Sequence, residues 1–524
     1  MNKYEINQVS MGHLVTTEAT KRLRAYLGHV EQGQPEDYRT PLFDGKPREE
    51  ILEQWRKILE PKLTGMEGLL DFENDLRSKV GPLSVMKPLK ERMDDIDAYY
   101  SSIHLESKPI SDDAVTALIK DWGGKIGGLS RRSPSTTWLA MKKSTSSGLP
   151  TYQRRMSAWP KVNGFRLDQN SCYYPRLGKS YQNCAVLGWR GQEGGPDDSD
   201  VKQRVIWMFP MAVNIAELSV YQPLIAACQR FNLVPAWNGN DFVDEEVTSL
   251  FDSKGKDDVI ICTDFTKFDQ HFNEDMQSCA SKVLKALLAN GEEWLNLVYP
   301  IKYSIPLLIN WGEWLVGKHG MASGSGGTNA DETLSHRCLQ LEAAITSHAE
   351  LNRHSMCLGD DGLLSYPGID IDHVLTKYTS HGLDMNEDKQ DVSKYQAKFL
   401  RRYYHTEYRI NGICHGIYST YRALGKLIGQ ERFYDPKKWG PEMLTMRSLS
   451  IIENVKWHPA KEEFLEFCVK GDKYKLGLDI PGFFDNLEKS YESSELAQSF
   501  KSYSAGDNVG INDWWCVKAL KAMR

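Results

Sequence analysis

Apolar residues recur at helical spacing through much of the first 130 positions, most clearly in KPREEILEQWRKILEPKL at 46–63, so this stretch predicts mostly helices. Residues 131–215 break the pattern. They are basic, Gly/Ser-rich and aromatic, as in RRSPSTTWLAMKKSTSSGLPTYQRR. Two readings stay open there, a solvated loop and a phosphate-binding channel wall. From Val259 a strand–helix order sets in. VIICT is a short β-rich apolar run and predicts a buried strand. Met276, Ala280, Val283, Leu284, Leu287 and Leu288 then follow helical spacing, with Asn273 as N-cap and Asn290-Gly291 as the stop. IPLLINWGEWLVGKHG predicts two strands around a turn. Leu334, Cys338, Leu341 and Ile345 share one face of a helix over Thr333–Ile345. SMCLGDDGLLSY predicts strand, tight turn, strand, with the Asp361-Gly362 pair as the hairpin signal. Beyond about 410 the chain predicts largely helix.

Composition narrows this little. At 524 residues the chain exceeds one ordinary core, so two to four packed subdomains are expected. The hydrophobic share is 41% and the charged share 26%, both ordinary for a globular protein. No 18-residue apolar run stands out, so no membrane partner is expected. The first residues lack the apolar core of a signal peptide, and Asn2 stands where myristoylation needs Gly. Ten cysteines show no CxxC or Cys/His cluster, which predicts buried reduced thiols rather than a disulfide framework or zinc site. Net charge is −6, so bulk charge does not point to nucleic acid, and any such contact must be locally basic.

The chemistry concentrates in three segments. Asp264 follows the VIICT strand in Asp264-Phe-Thr-Lys-Phe-Asp269. Ser323-Gly-Ser-Gly-Gly-Thr328 opens a helix. Gly359-Asp360-Asp361 sits on the predicted hairpin turn. Gly-Asp-Asp alone is a weak signal, because a surface turn produces it too; the ordered combination is what informs. Carboxylates brought together at a sheet end suit hard cations that keep waters and take phosphate oxygens. A pair of such ions activates an attacking oxygen and stabilises a leaving one. The SGSGG run lacks a following Gly-Lys-Ser/Thr, so Walker-type phosphate binding is rejected.

These segments resemble those of the viral RNA-dependent RNA polymerases, most closely the picobirnavirus enzymes of a double-stranded RNA virus group. The resemblance spans about 140–405. Asp264 and Asp269 match motif A, Ser323, Gly324 and Thr328 match motif B, and Gly359, Asp360 and Asp361 match motif C. It implies that Asp264, Asp360 and Asp361 are catalytic and organise two Mg²⁺ ions, with Mn²⁺ as the alternative. Asp269 is implied in recognising the ribose 2′-OH through Ser323, Thr328 or Asn329. One common motif B pattern has Asn four residues after the Thr. This chain has Glu332 there, so Asn329 is taken instead, with a helix N-cap as its other reading. Lys202 and Arg204 resemble motif F, alternating on one strand face toward the triphosphate, with Arg190 as a second nucleotide-binding arm. Lys142, Lys143, Thr145, Ser146 and Gly148 resemble motif G, which guides template RNA. Lys389 resembles the motif D acid that protonates pyrophosphate. Arg401 and Arg402 resemble motif E, which grips nascent RNA.

The implied fold class is α+β, a right hand of fingers, palm and thumb with an antiparallel palm sheet backed by helices. Its expected parts are an N-terminal bridging segment at 1–110, fingers at 111–215, palm with interleaved fingers at 216–410 and thumb at 411–524. The implied activity is template-directed transfer from rNTPs to the 3′ end of RNA, for viral genome replication and transcription. Template RNA, nascent RNA and rNTPs are the implied partners, with the viral capsid protein as an optional one. The implied setting is the virion interior and host cytoplasm. A reverse transcriptase and a non-catalytic RNA-binding relic are the rivals. Asp269, Gly359 and S-G-x-x-x-T oppose the first, and the intact Asp264, Asp360 and Asp361 oppose the second.

Overall fold

The computed structural model describes residues 5–494, 496–497 and 509–524. Asn2, and the remaining positions of the 1–110 and 411–524 segments among 1–4, 495 and 498–508, lie outside the described residues. Helix and sheet are mixed through the chain. It divides into two compact units, each of discontinuous segments: residues 1–32, 88–189 and 205–399, and residues 33–87, 190–204 and 400–524.

The first unit holds a four-stranded sheet in the order Met356–Leu358, Asp361–Leu364, Ile260–Thr263, Asp391–Ser393. Each neighbouring pair in it is antiparallel, in the registers Leu358↔Asp361, Gly362↔Thr263 and Asp391↔Cys262. Ile260, Ile261, Cys262 and Thr263 are all buried, as an uninterrupted apolar run covered on both faces should be. Helices Asp112–Ile126, Glu274–Leu287 and Thr328–Thr346 contribute to the same core. Asn273 caps the second of these as expected, accepting from the Asp275 and Met276 N–H groups.

A five-stranded sheet runs Ile6–Gln8, Glu313–Leu315, Leu307–Asn310, Ala185–Gln192, Lys202–Met208. Its Ala185 strand lies parallel to the Leu307 strand, so the expectation of purely antiparallel sheet is corrected: the sheet content is mixed. The parallel pairing is possible because a long crossover joins the two strands. Residues 131–215 are largely ordered helix and strand, including helices Pro134–Ala140 and Arg155–Val162, rather than a solvated loop. Among the described residues one helix, Met211–Arg230, is long and apolar enough to cross a membrane, but 78% of its most apolar 18-residue stretch is buried within the protein. It is a core helix that carries the buried Asn214 and Glu217. All ten cysteines are free and buried.

The second unit packs helices Arg48–Lys62, Glu67–Arg77, Thr420–Ile428, Pro441–Glu453, Lys461–Gly471 and Trp515–Ala522 around Trp55, Leu424, Phe464 and Leu520. The Trp55 indole N–H donates to Thr420 Oγ1 at 2.8 Å. Glu73, fully buried, accepts from the Thr420 N–H at 3.0 Å and from its hydroxyl, and lies 3.5 Å from His458 Nε2. This carboxylate thus serves the first turn of a helix distant in sequence. Glu73→Ala leaves two buried donors without an acceptor, each costing about 1–3 kcal/mol. The expected result is a denaturation midpoint clearly lower than wild type, largely restored in Glu73→Gln. Equal midpoints for all three proteins would contradict this role.

Candidate active site

The sheet register places the carboxylates. Gly362 pairs with Thr263, so one step further along the two antiparallel strands Asp361 comes opposite Asp264. The hairpin turn is Gly359-Asp360, with Gly359 at φ +59°. The sequence signal at Asp361-Gly362 was two residues late, since both residues already belong to the strand. Gly362 is a glycine for another reason: a Cβ there would lie 2.6 Å from His336 Cε1. Asp264 and Asp360 are exposed and Asp361 is half-buried. Burial pushes the thiols of Cys262 and Cys357, on flanking strands, up to about 12, so both stay neutral.

The hairpin is fastened to the Thr328–Thr346 helix by one helical face. Thr333 Oγ1 accepts the Gly359 N–H at 2.9 Å. His336 Nδ1 lies 2.8 Å from the Gly359 carbonyl. Gln340 Nε2 donates to the carbonyls of Met356 at 2.8 Å and Leu363 at 3.3 Å. A carbonyl only accepts, so His336 carries its proton on Nδ1. Burial holds its pKa down at about 4, and the ring is neutral near pH 7.

A second clamp acts on Asp264 itself. Gln390 Oε1 accepts the Asp264 N–H at 2.8 Å, and Gln390 Nε2 donates to the Asp264 carbonyl at 2.9 Å and to that of Asn386 at 2.8 Å. The side-chain amide extends the pairing of the Asp391 strand by one step. Lys389, exposed, immediately precedes it. The structure therefore brings Lys389 to the strand end that carries Asp264.

The loop ahead of the Thr328 helix docks by its backbone. Trp207 N–H donates to the Ser323 carbonyl at 2.8 Å, and Ser323 Oγ lies 3.4 Å from the Val205 carbonyl. Gly324 sits at φ +131°, and a Cβ there would fall 1.8 Å from the Trp207 carbonyl. Thr328 is the first helical residue, and its Oγ1 lies 3.3 Å from the Ser325 carbonyl. The N-cap is Gly327, so the capping alternative for Asn329 is wrong. Asn329 Oδ1 instead accepts the Trp237 indole N–H at 2.9 Å. Its Nδ2 and Glu332 Oε2 lie 3.7 and 3.4 Å from where a Gly359 Cβ would stand, so both adjoin the hairpin turn. The Asp269 carbonyl accepts the Met321 N–H at 2.8 Å, which joins the Asp264–Asp269 segment to this loop.

The 142–148 segment is more tightly folded than expected. The Gly148 N–H donates to Ser146 Oγ at 3.1 Å. Gly148 is buried at φ +60°, where a Cβ would meet the Phe209 carbonyl at 2.1 Å. Its N–H is therefore not directed to a phosphate; the glycine allows close packing on the chain ahead of the Met211 helix. Thr145 and Lys142 are exposed, and Lys143 Nζ donates to the Leu139 carbonyl at 3.0 Å.

The other basic candidates belong to the second unit. Lys202 and Arg204 are both exposed on one strand face, as alternation predicts, with Val205 and Trp207 buried on the opposite face. Arg190 lies 4.0 Å from Glu431, and Arg401 lies 3.4 Å from Glu193. Arg402 is 6% exposed and begins a strand paired with Tyr418. The expectation that Arg402 grips RNA is corrected: its side chain is buried in the strand, whereas Arg401, in the preceding turn at φ +61°, is exposed. Sequence reading missed Thr333, His336, Gln340 and Gln390, since single polar residues carry no spacing signature.

The His336 environment predicts an acid limb in stability. Its folded pKa lies below the unfolded value, so the unfolded state binds more protons between about pH 6.5 and 4. This contribution is fully present above about 6.5 and is lost as pH falls toward 4, with a span on the order of 3 kcal/mol. His336→Asn keeps a donor for Gly359 but removes the titrating ring. Denaturant midpoints at pH 7, 5.5 and 4.5 should fall less steeply in the variant. Equal slopes would place the acid sensitivity elsewhere.

Comparison with known proteins fits this arrangement. Residues 192–414 match the family model for viral RNA-dependent RNA polymerase. The chain is 53% identical over 517 residues to a potential RNA-dependent RNA polymerase of a human picobirnavirus (strain Human/Thailand/Hy005102/-), covering 96% of this chain and 97% of the relative. The crystal structure of the RNA-dependent RNA polymerase of a human picobirnavirus superposes with TM-score 0.93 at 51% identity, covering 99% of this chain and 100% of that one. An insertion-loop deletion mutant of such an enzyme gives TM-score 0.92, also at 51% identity with 99% and 100% coverage. This chain accordingly belongs to the viral RNA-dependent RNA polymerases and is an RNA-directed RNA polymerase.

Proposed function

We propose that the enzyme extends RNA by two-metal nucleotidyl transfer from rNTPs, replicating and transcribing a viral genome, with Asp264, Asp360 and Asp361 as the metal-holding carboxylates. The observation that carries this reading is the antiparallel ladder ending at Gly362↔Thr263, each one residue from Asp361 and Asp264, with Asp360 on the adjoining turn. The donor set is all oxygen. Among the described residues no group of three or more His, Cys, Asp or Glu side chains forms a ready metal cage. Such donors fit Mg²⁺, which completes its shell with water and substrate phosphates, and Mn²⁺ fits as well. When bound, the ions supply charge stabilisation at the attacking and leaving oxygens. Gln390 and the Thr333–His336 face fix the backbones that present the carboxylates, so little reorganisation is needed as charge develops. Lys389 donates a proton to departing pyrophosphate. Lys202 and Arg204 meet triphosphate oxygens, and Lys142, Thr145 and Arg401 meet RNA phosphates. The right-hand division into fingers, palm and thumb belongs to the same reading.

Asp264→Asn or Asp360→Asn should lower incorporation on an RNA template by about a thousandfold or more, with the fold retained. Near-normal incorporation by either purified variant would sink the metal assignment.

Asp269 is assigned to sugar selection together with Ser323, Thr328 and Asn329. Its motivation is the backbone bond from Met321 that joins its segment to the loop. A hydrogen bond lost only to the ribose predicts a roughly ten- to hundredfold lower GTP/dGTP ratio of kcat/KM in Asp269→Ala. An equal fall with both nucleotides would make Asp269 a structural or metal-site residue.

A further inference from the structure

The Met211–Arg230 helix contains two polar residues that the mechanism above leaves unused. Asn214 is 2% exposed and Glu217 is fully buried, one turn apart on the same helix. Neither faces solvent, so each must find partners inside the protein. Asn214 Oδ1 accepts Arg155 Nη2 at 3.0 Å. Asn214 Nδ2 lies 3.3 Å from both the Gly324 carbonyl and Glu217 Oε1. Glu217 Oε1 accepts the Gly326 N–H at 3.2 Å, and its other oxygen accepts the Ser325 hydroxyl.

The other end of this chain of bonds is the 142–155 segment. Arg155 Nη1 donates to the Lys142 carbonyl at 3.0 Å, and the Arg155 N–H to the Thr145 carbonyl at 2.9 Å. Met211 N–H donates to the Ser147 carbonyl at 2.8 Å. Lys142–Thr145, Arg155, Asn214, Glu217 and Ser325–Gly326 therefore form one continuous polar path from the exposed 142–145 segment through the buried Asn214 and Glu217 to the loop. The helix also shapes the loop sterically. A Cβ on Gly326 would fall 2.9 Å from Leu218 Cγ, and one on Gly327 2.4 Å from Tyr221 Cε2. These glycines let the loop lie flat against the helix that carries Asn214 and Glu217.

We propose that Asn214 and Glu217 are positioning residues that couple the template-side segment 142–155 to the sugar-selecting loop Ser323–Thr328, so that seating of the template sets the accuracy of sugar choice. This rests on the roles proposed above for those two segments. The coupling acts through the loop backbone. Glu217 holds Ser325 and Gly326, and Asn214 holds the Gly324 carbonyl, so Ser323 and Thr328 are presented in one geometry. Arg155 ties that geometry to the segment bearing Lys142 and Thr145. Burial pushes the Glu217 carboxyl above its usual range and the Lys302 ammonium pulls it back. The anchor therefore sits where electrostatic interactions are strong.

The test is a double-mutant cycle on the full-length enzyme, read as kcat/KM for matched GTP and dGTP on one defined RNA template. Arg155→Ala lies at the template end and Ser325→Ala at the loop end. Each should lower the GTP/dGTP ratio by about fivefold, the worth of one net hydrogen bond. The double variant should fall no further than the lower single, because both cut one path. Glu217→Gln, which keeps the shape and one acceptor oxygen, should stay near wild type while Glu217→Ala does not. Melting curves identify any variant that fails to fold, and Arg155→Lys then replaces Arg155→Ala. The proposal is overturned if Arg155→Ala raises the KM for template and leaves the ratio unchanged, or if the two single effects multiply. If Ser325→Ala and Asp269→Ala both leave the ratio at wild type, the sugar-selecting role of the loop is wrong and the coupling falls with it.

Discussion

The Thr328–Thr346 helix is buried on nearly every side, and its polar side chains must be satisfied inside the protein. Asp331 meets Lys302 Nζ at 3.0 Å, both fully buried, and accepts the hydroxyls of Tyr221 at 2.6 Å and Tyr303 at 2.7 Å. Ser335 donates to the Met276 carbonyl at 2.7 Å. Glu342 accepts the Ser111 N–H at 2.6 Å and lies 2.7 Å from His381 Nε2. Thr333, His336 and Gln340 take the Gly359-Asp360 hairpin. An unpaired member of this set would cost more than most single contacts contribute. The helix consequently has few acceptable placements, and the hairpin and the adjoining helices are placed with it.

That constraint separates two kinds of polar residue. Those assigned to chemistry, Asp264, Asp360 and Lys389, are exposed at the sheet end, where cations and nucleotides can reach them. Those that hold the scaffold, Glu217, Asp331, His336 and Gln340, are buried. Preorganised sites are built this way because the supporting shell, not the reacting group, sets positional accuracy. The buried His336 remains neutral near pH 7 and thus adds no charge beside the carboxylates.

Elements with one apolar pattern were legible in the sequence. The Ile260 strand, the Asn273-capped helix, the Leu307 hairpin and the ordered Asp264, Ser323 and Asp360 segments all stand where their spacing put them. The helix behind the hairpin was only half legible. Leu334, Cys338, Leu341 and Ile345 mark its apolar face, but the opposite face is just as inaccessible and is polar. Periodicity takes such a face for a solvent-facing one. The hairpin signal fell two residues past the turn because Asp-Gly is the commoner turn pair, and the crowding of Gly362 by His336 is visible only in three dimensions. Arg401 and Arg402 look alike in sequence, but Arg401 lies in the turn and Arg402 begins the strand, where its side chain is buried.

The anchors share a further property. Gln390 holds the N–H and carbonyl of Asp264, Thr333 and His336 hold those of Gly359, and Glu217 and Asn214 hold the loop at Gly326 and Gly324. Each acts on main chain and none of these bonds occupies a carboxylate oxygen of Asp264, Asp360 or Asp361. Fastening through the backbone restricts where each carboxylate begins without drawing on its side chain for that purpose. Glycine is required at several of the same points, since only a residue without Cβ lets a second chain approach that closely. Gly324 lets the Trp207 backbone approach the loop, and Gly359 takes the left-handed turn at φ +59° that presents its N–H and carbonyl to Thr333 and His336.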